Sequence, residues 1–334
     1  MNYEESTNVL EEVKKTNSFI LLLHESPDFD SVISCLLMAK ILENMGKSVD
    51  VFSFDEVGKE NEFLDKDKKI KAVKFEDVDF SKYDILFVLD ASELKRLGLP
   101  EDFHFNGKII NIDHHEGGNF SDIHIFDRNT GATGSVLYLI FKDWGIDLSK
   151  DDLDMILMSI ISDTWVFRFS THPGTKVFGI VNELISCGAD YERGLFYVDQ
   201  CNSLETFQFY AEAIKEFKID KENRFAYALI PQEIFSKYKK FGVRSRQISD
   251  IFLRNINDTD FGVVMIEEAK GQVKVSARTR TPGFYVLDLI KAMGGGGHLT
   301  GGGATVVSES GNTQDCVETI LKYTRDFSKQ MRGK

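Results

Sequence analysis

The sequence predicts an α/β protein of two domains: a larger N-terminal domain on a mainly parallel sheet flanked by helices, and a smaller C-terminal α/β domain with a mixed sheet. Three observations carry this. The chain has 334 residues, more than a single core usually organises. Its first half alternates short apolar runs with amphipathic stretches, the pattern of parallel strands joined by crossover helices. From about residue 222 the texture changes to strands that read as a hairpin, with helices between them. The expected division is 1–190 for the first domain, 191–221 for a helical linker and 222–334 for the second.

The elements follow in order. "SFILLLH" (18–24) reads as a strand, and "SVISCLLMAKILENMG" (31–46) has helical spacing and stops at a glycine. "VDVFSF" (49–54), "YDILFVLD" (83–90) and "GKIINID" (107–113) are further strands, the last two ending in an acid. Helices are expected over 133–145, 151–164, 174–190 and 203–218. In the C-terminal part, strands are expected at 224–231, over a hairpin at 260–279 turning at "AKGQ", and at 302–308. Helices at 243–256, 285–294 and 313–327 would cover that sheet.

Composition narrows the class. Apolar residues are 42% and charged residues 28% of the chain, as in ordinary globular proteins. No secretory pattern and no apolar run of membrane-spanning length is read, so the expectation is a soluble, cytoplasmic protein without membrane contact. A net charge of −13 argues against a broad grip on long duplex DNA, which needs many Lys and Arg contacts to phosphate, but not against a small phosphorylated substrate held through metal ions. The four cysteines, Cys35, Cys187, Cys201 and Cys316, form no CxxC pair and read as buried thiols.

Ligands of open parallel sheets collect at the carboxyl ends of the strands. His24, Asp90 and Asp113 stand at such ends, His114 and His115 follow Asp113, and the helix over 151–164 delivers Asp163. Asp28 and Asp30 lie in "HESPDFD", between the first strand and its helix, where an aspartate could equally serve as a helix cap. Five aspartates and three histidines converging on one rim would repel and resist desolvation unless cations neutralised them. Two divalent ions would do so, and the mixed carboxylate and imidazole set suits Mn²⁺ or Mg²⁺, with Co²⁺ and Zn²⁺ also accommodated. A pair of metals about 3.5–4 Å apart is an engine for in-line attack on phosphorus, which points to a phosphoesterase.

The motifs "HESPDFDS", "VLDAS", "NIDHHEGG" and "SIISDTWVFRFS", in this order, resemble those of the DHH phosphoesterases, and "GGGGHLTGGG" (294–303) is similar to the signature of the DHH-associated domain. The short two-domain layout most resembles the NrnA-like enzymes. That resemblance implies metal-dependent hydrolysis of short oligoribonucleotides (nanoRNA) and linear dinucleotides such as pApA, and in some members of cyclic di-AMP or 3′-phosphoadenosine 5′-phosphate. It implies that His24 and Asp28 bind one metal, that Asp30, His114 and Asp163 bind the other, and that Asp90 bridges both. Asp113 would orient an imidazole and His115 would face the substrate phosphate. Arg278, Gly295, Gly296 and His298 would hold the terminal nucleotide across an interdomain cleft, with Arg280 the competitor of Arg278. A homodimer through the first domain is also implied.

The sequence departs from the family pattern at Ile33, Ser159 and Trp165, where glycines are common, and in the closing "GGG". None of these replaces a metal ligand; Trp165 bears on substrate choice, by stacking or by narrowing the entrance. The alternatives are a 3′-phosphoadenosine 5′-phosphate phosphatase on the same metals and a non-catalytic nucleotide sensor. An inorganic pyrophosphatase is disfavoured by the glycine signature, and a long-strand exonuclease by the lack of a further nucleic-acid-binding domain.

Overall fold

A computed structural model describes residues 1–58, 61–168, 175–243 and 245–333, with the side chains of residues 175, 246 and 298 outside the description. The tail of "SIISDTWVFRFS" (169–170) and positions 174 and 244 of two expected helices also lie outside it. The chain forms two compact units, Met1–Cys201 and Asn202–Lys334. Of the stretch expected as a linker, residues 191–201 therefore belong to the first unit and 202–221 to the second. No helix among the described residues is long and apolar enough to cross a membrane.

The first unit runs α1 (Glu5–Lys15), β1 (Ser18–Leu22), α2 (Phe29–Asn44), β2 (Ser48–Ser53), β3 (Ile70–Ala72), β4 (Ile85–Leu89), β5 (Lys108–Asp113), β6 (Ile123–Phe126), α3 (Thr133–Asp143), α4 (Lys150–Asp163), α5 (Thr175–Ser186) and α6 (Tyr191–Leu195). The strands form one sheet in the order β3-β2-β1-β4-β5-β6, and every pairing is parallel. Connections run outward from β1 on one side and from β4 on the other, so the strand order reverses between β1 and β4. A crevice opens at the carboxyl ends of the strands at such a reversal.

Strands buried on both faces must be apolar on both. In β1, Phe19 and Leu21 pack into the core beneath α2, α3 and α4, while Ile20 and Leu22 pack with Leu86, Val88 and Leu97 on the opposite face. Each such side chain contributes roughly 1.5–3 kcal/mol on burial. Helix α2 is buried nearly all round, as expected for a central helix. Asp28 caps it by accepting from the Ser31 amide at 3.3 Å. Ser149 opens α4 with a reciprocal capping box to Asp152.

The second unit comprises α7 (Leu204–Ile214), β7 (Phe217–Asp220), β8 (Phe225–Ile230), α8 (Gln232–Tyr238), α9 (Ser245–Phe252), β9 (Phe261–Ala269), β10 (Gln272–Thr279), α10 (Leu287–Ala292), β11 (Gly296–His298), β12 (Gly301–Val307) and α11 (Thr313–Arg332). Its sheet has the order β11-β12-β10-β9-β8-β7 and is mixed, only β8 and β9 being parallel. Ile320 and Phe327 of α11 cover one face, and Phe209 of α7 and Ile248 of α9 the other.

The α/β class and the mixed second sheet are as the sequence predicts. Three local expectations differ. The helix expected over 203–218 ends at Ile214, and Phe217–Asp220 becomes an edge strand on β8. The glycine cluster is itself partly a strand, because β11 pairs with β12. Cys187 and Cys201 are exposed, in the turn after α5 and at the unit boundary, whereas Cys35 and Cys316 are buried.

Candidate metal centre

The topology brings the rim residues together. β5 ends at Asp113, β4 ends one residue before Asp90 and β1 two residues before His24, so His24 lies beyond its strand rather than in its last position. α4 ends at Asp163, and α2 carries Asp30 in its first turn. Ligand atoms converge in three groups: His24, Asp28 and Asp90; Asp30, Asp90, His114 and Asp163; and Asp90, Asp113, His114 and His115. Within each group the atoms lie within 4.8 Å of one another, and Asp90 belongs to all three.

The tautomers can be argued from partners. Nδ1 of His24 lies 2.8 Å from the Glu25 carbonyl, which can only accept, so Nδ1 carries the proton. Its Nε2 is thereby turned to Asp28 Oδ1 at 3.5 Å and Asp90 Oδ2 at 3.4 Å. Nε2 of His114 stands 2.9 Å from Asp163 Oδ2, 3.6 Å from Asp90 Oδ1 and 3.9 Å from Asp30 Oδ2. It is buried yet makes no hydrogen bond among the described residues. Three carboxylates around one unbonded imidazole nitrogen is a donor set for a cation.

Asp30 is 0% exposed and is held by the start of α3, accepting from the Thr133 amide at 2.7 Å and the Gly134 amide at 2.9 Å. Thr133 also donates its hydroxyl to Asp90 Oδ1 at 3.2 Å. Sequence reading missed Thr133 and Gly134; the signal was a Thr-Gly pair opening a helix. Gly134 is required here, since a Cβ on it would lie 2.2 Å from Ser159 Oγ. The small residue that lets α3 and α4 approach thus sits on α3, which accounts for the serine at 159.

Asp113 Oδ1 accepts from the His114 amide at 2.7 Å, the His115 amide at 2.9 Å and Nδ1 of His115 at 2.8 Å. Burial alone would raise its carboxyl, but these bonds and the imidazole charge hold it below the usual carboxylate range. The imidazole that Asp113 orients is therefore that of His115, the most exposed of the three rings, with a side chain 23% exposed against 13% for His114 and 3% for His24.

The field over the rim is that of a site short of positive charge. Burial, and then neighbouring Asp90 and Asp163, push Asp30 well above its ordinary value. Burial likewise raises Asp90, although His24 opposes it. Burial lowers the imidazoles of His24 and His114, yet the facing carboxylates more than reverse this and lift them to about 11 and about 10. Among the described residues no lysine or arginine pairs with Asp30, Asp90 or Asp163. Divalent ions fit this donor set and would supply the missing charge.

Other residues of the motifs have close neighbours of their own. A Cβ on Gly117 would lie 2.6 Å from Ser92 O, and one on Gly118 2.5 Å from Asn111 Oδ1 and His124 Nε2. Trp165 opens a turn of three residues, Trp165, Val166 and Phe167, all with positive φ. In the second unit, Arg278 is 7% exposed; its Nη2 donates to Asp250 Oδ2 at 2.9 Å, its Nε to Asp250 Oδ1, and its Nη1 to Ala277 O at 2.8 Å. Arg280 donates to Thr259 O at 3.0 Å. Gly295 is pressed against Gly303 and Ala304, whereas a Cβ on Gly296 would meet nothing within 4 Å. His298 lies in β11, and its side chain is outside the described residues.

Residues 18–160, which hold the first three motifs, match the DHH family, N-terminal domain. The first unit is a DHH-family domain. An uncharacterized protein of Methanocaldococcus jannaschii is 26% identical over 88% of this chain, which spans 59% of that protein. The bifunctional oligoribonuclease and PAP phosphatase NrnA of Thermus thermophilus is 26% identical over 97% of this chain and 95% of its own length. A probable manganese-dependent inorganic pyrophosphatase of Bacillus mycoides is 26% identical over 44% of this chain and 48% of its own. The fold matches the crystal structure of an exopolyphosphatase-related protein from Bacteroides fragilis with a TM-score of 0.86, at 20% identity, over 98% of this chain and 97% of that one.

Proposed function

We propose that this DHH protein hydrolyses the phosphodiester bonds of short oligoribonucleotides and linear dinucleotides such as pApA, releasing mononucleotides, with two divalent ions, Mn²⁺ first among them. The observation that carries the reading is Asp90. Its carboxylate is common to the His24, Asp28 group and to the Asp30, His114, Asp163 group, which is the arrangement of a bridging ligand. Bound there, two ions supply Lewis-acid activation and neutralise charge around the phosphorus. Asp113 holds His115 through Nδ1, and in this proposal that ring faces the phosphate and assists departure of the leaving oxygen. In the second unit, Arg278, Gly295, Gly296 and His298 are the proposed nucleotide-binding positions; of the two glycines, Gly296 has the open space for a ligand.

The near full-length likeness to an enzyme named for two activities favours 3′-phosphoadenosine 5′-phosphate as a second substrate. Opening of cyclic di-AMP, a cytoplasmic place of action and a homodimer complete the proposal. The test is chromatography of products from Mn²⁺-loaded protein incubated with pApA, a 24-mer RNA, cyclic di-AMP and 3′-phosphoadenosine 5′-phosphate in parallel. AMP from pApA should appear fastest. Faster loss of the 24-mer overturns the short-substrate reading, phosphate from 3′-phosphoadenosine 5′-phosphate without AMP from pApA replaces it by a monoesterase, and no hydrolysis of any substrate leaves the nucleotide sensor.

A further inference from the structure

Asp90 must reach two groups of ligands at once, and its backbone is held for this in a conformation that aspartate rarely adopts, with φ of +59°. A non-glycine residue stays in the left-handed region only where its surroundings fix it. Two contacts do so here. The Asp90 amide donates to Ile112 O at 3.2 Å, which continues the pairing of β4 with β5. The second contact is Asn111, one strand over on β5 and 0% exposed. Its Nδ2 donates to Val88 O and to Ala91 O, both at 3.0 Å.

Those carbonyls lie on either side of Asp90 in the chain, so one carboxamide ties together the two ends of the turn that carries the shared carboxylate. The remaining atom of the amide, Oδ1, is buried without a hydrogen-bond partner and lies against Gly118, whose left-handed backbone leaves space for it. A buried acceptor left unbonded carries a desolvation penalty. Packing alone would be served by an apolar residue, as at Ile109, two residues earlier on the same face; what asparagine adds is the pair of donors under the Asp90 turn.

We infer that Asn111 is a positioning residue of the metal centre: its side-chain amide locks the Asp90 turn and so aims the shared carboxylate at both ligand groups. It acts through Asp90 and touches neither metal nor substrate. Asn111→Asp is the informative change, because it keeps the shape while replacing two donors by acceptors that face two carbonyls. Asn111→Ser, smaller and neutral, serves where the aspartate variant does not fold. Ile41→Val, near the far end of α2 and eleven residues from Asp30, supplies a control of lowered stability that leaves the rim untouched.

The inference rests on the two-metal reading, and the experiment separates the two. Mn²⁺ binding to metal-free protein is titrated calorimetrically and followed by the electron paramagnetic resonance of coupled Mn²⁺ pairs, beside melting curves and kcat and KM on pApA. Wild type should bind two ions with a coupled signal; if it does not, the two-metal site itself fails, whatever Asn111 does. Given that signal, the Asn111 variants should bind Mn²⁺ about 10- to 100-fold more weakly, lose the coupled signal and lose kcat with little change in KM. Folded Asn111 variants that bind two coupled ions with wild-type affinity, or a control that loses affinity in proportion to its melting temperature, would overturn the role of Asn111 and leave the metal site standing.

Discussion

At the start of α4, Asp152 and Asp154 are buried to within 3% exposure, and each meets cations: Lys40 Nζ lies 2.6 Å from Asp152, while Lys150 Nζ at 3.0 Å and Arg193 Nη1 at 2.7 Å flank Asp154. At the far end of the same helix, Asp163 faces His114 in a rim whose acids Asp30 and Asp90 are equally buried and have no lysine or arginine partner among the described residues. The chemistry diverges accordingly. Asp154 is held below its ordinary carboxyl value, whereas Asp30 and Asp90 are pushed above theirs. An acid that serves the fold is built with its own countercharge, and an acid that serves metal is left for the ion to neutralise.

The largest effect that can break this comparison is at Asp90. Asp90→Asn should lower turnover about a thousandfold or more, equivalent to roughly 4 kcal/mol of transition-state stabilisation. It should also raise the melting temperature of the metal-free protein by relieving repulsion, and shrink the gain that Mn²⁺ gives. A metal-free variant that melts lower than wild type would mean that the rim acids serve the fold after all.

Removal of the ions comes next. Free Mn²⁺ at a hundred times its dissociation constant should stabilise the protein by about 2.7 kcal/mol per site, a gain that chelation abolishes. The pH dependence follows from His24 and His114, raised from 6.5 to about 11 and about 10 when no metal is present. A raised imidazole stabilises the metal-free fold fully below pH 6.5 and loses that contribution as pH rises through its folded value. An ion takes the place of those protons, so Mn²⁺ affinity should rise between pH 7 and 9 with protons released on binding. Calorimetry in buffers of different ionisation heat reads the protons directly, and binding without release would remove the histidines from the ligand set.

How much of this was legible in the sequence depended on whether a residue's role is set along the chain or across it. The rim residues sit at or just beyond element ends, and the rule that parallel sheets gather function at their carboxyl edge places them without coordinates. His24 shows the limit, since the chain takes two further residues to turn out of β1. Asn111 was overlooked because an asparagine among apolar residues has no meaning until the Asp90 turn lies over it. The ion pair of Arg278 was not legible because Asp250, 28 residues earlier, comes to its fork only through the packing of α9 on β10. Gly295 read as a ligand position, yet the backbone of Gly303 presses on it in the fold.

A middle-sized effect tests how α4 is set at its metal end. Gly134→Ala would press a methyl group on Ser159 Oγ and should cost about 2 kcal/mol, with weaker Mn²⁺ binding because Asp30 hangs on the Thr133 and Gly134 amides. Adding Ser159→Gly should restore both, returning the glycine to α4. Denaturant unfolding with metal titration checks the pair, and failure of the double variant to recover would show that the contact does not set the helix spacing.

The smallest expected change lies at the other end of the helix. Asp154→Asn loses charge-assisted bonds to Lys150 and Arg193, whose side chains are 59% and 34% exposed and therefore screened, so the expected cost is about 1 kcal/mol. Burial would raise Asp154, but the Asp190 amide, Lys150 and Arg193 more than offset it, and its carboxyl is lowered from 3.8. A depressed carboxyl contributes stability above its unfolded value and loses it as pH falls through the folded one. Wild type and variant should thus differ at pH 7, and the gap should begin to narrow as pH falls below 3.8, with activity per folded molecule unchanged. The metal-free rim has the opposite slope, since protonation eases the repulsion between Asp30 and Asp90. Chemical denaturation at pH 7, 4 and 3 in the presence of chelator measures both slopes, and a gap between wild type and Asp154→Asn that does not narrow at all between pH 4 and 3 would show that Asp154 is held by its shape and not by its charge.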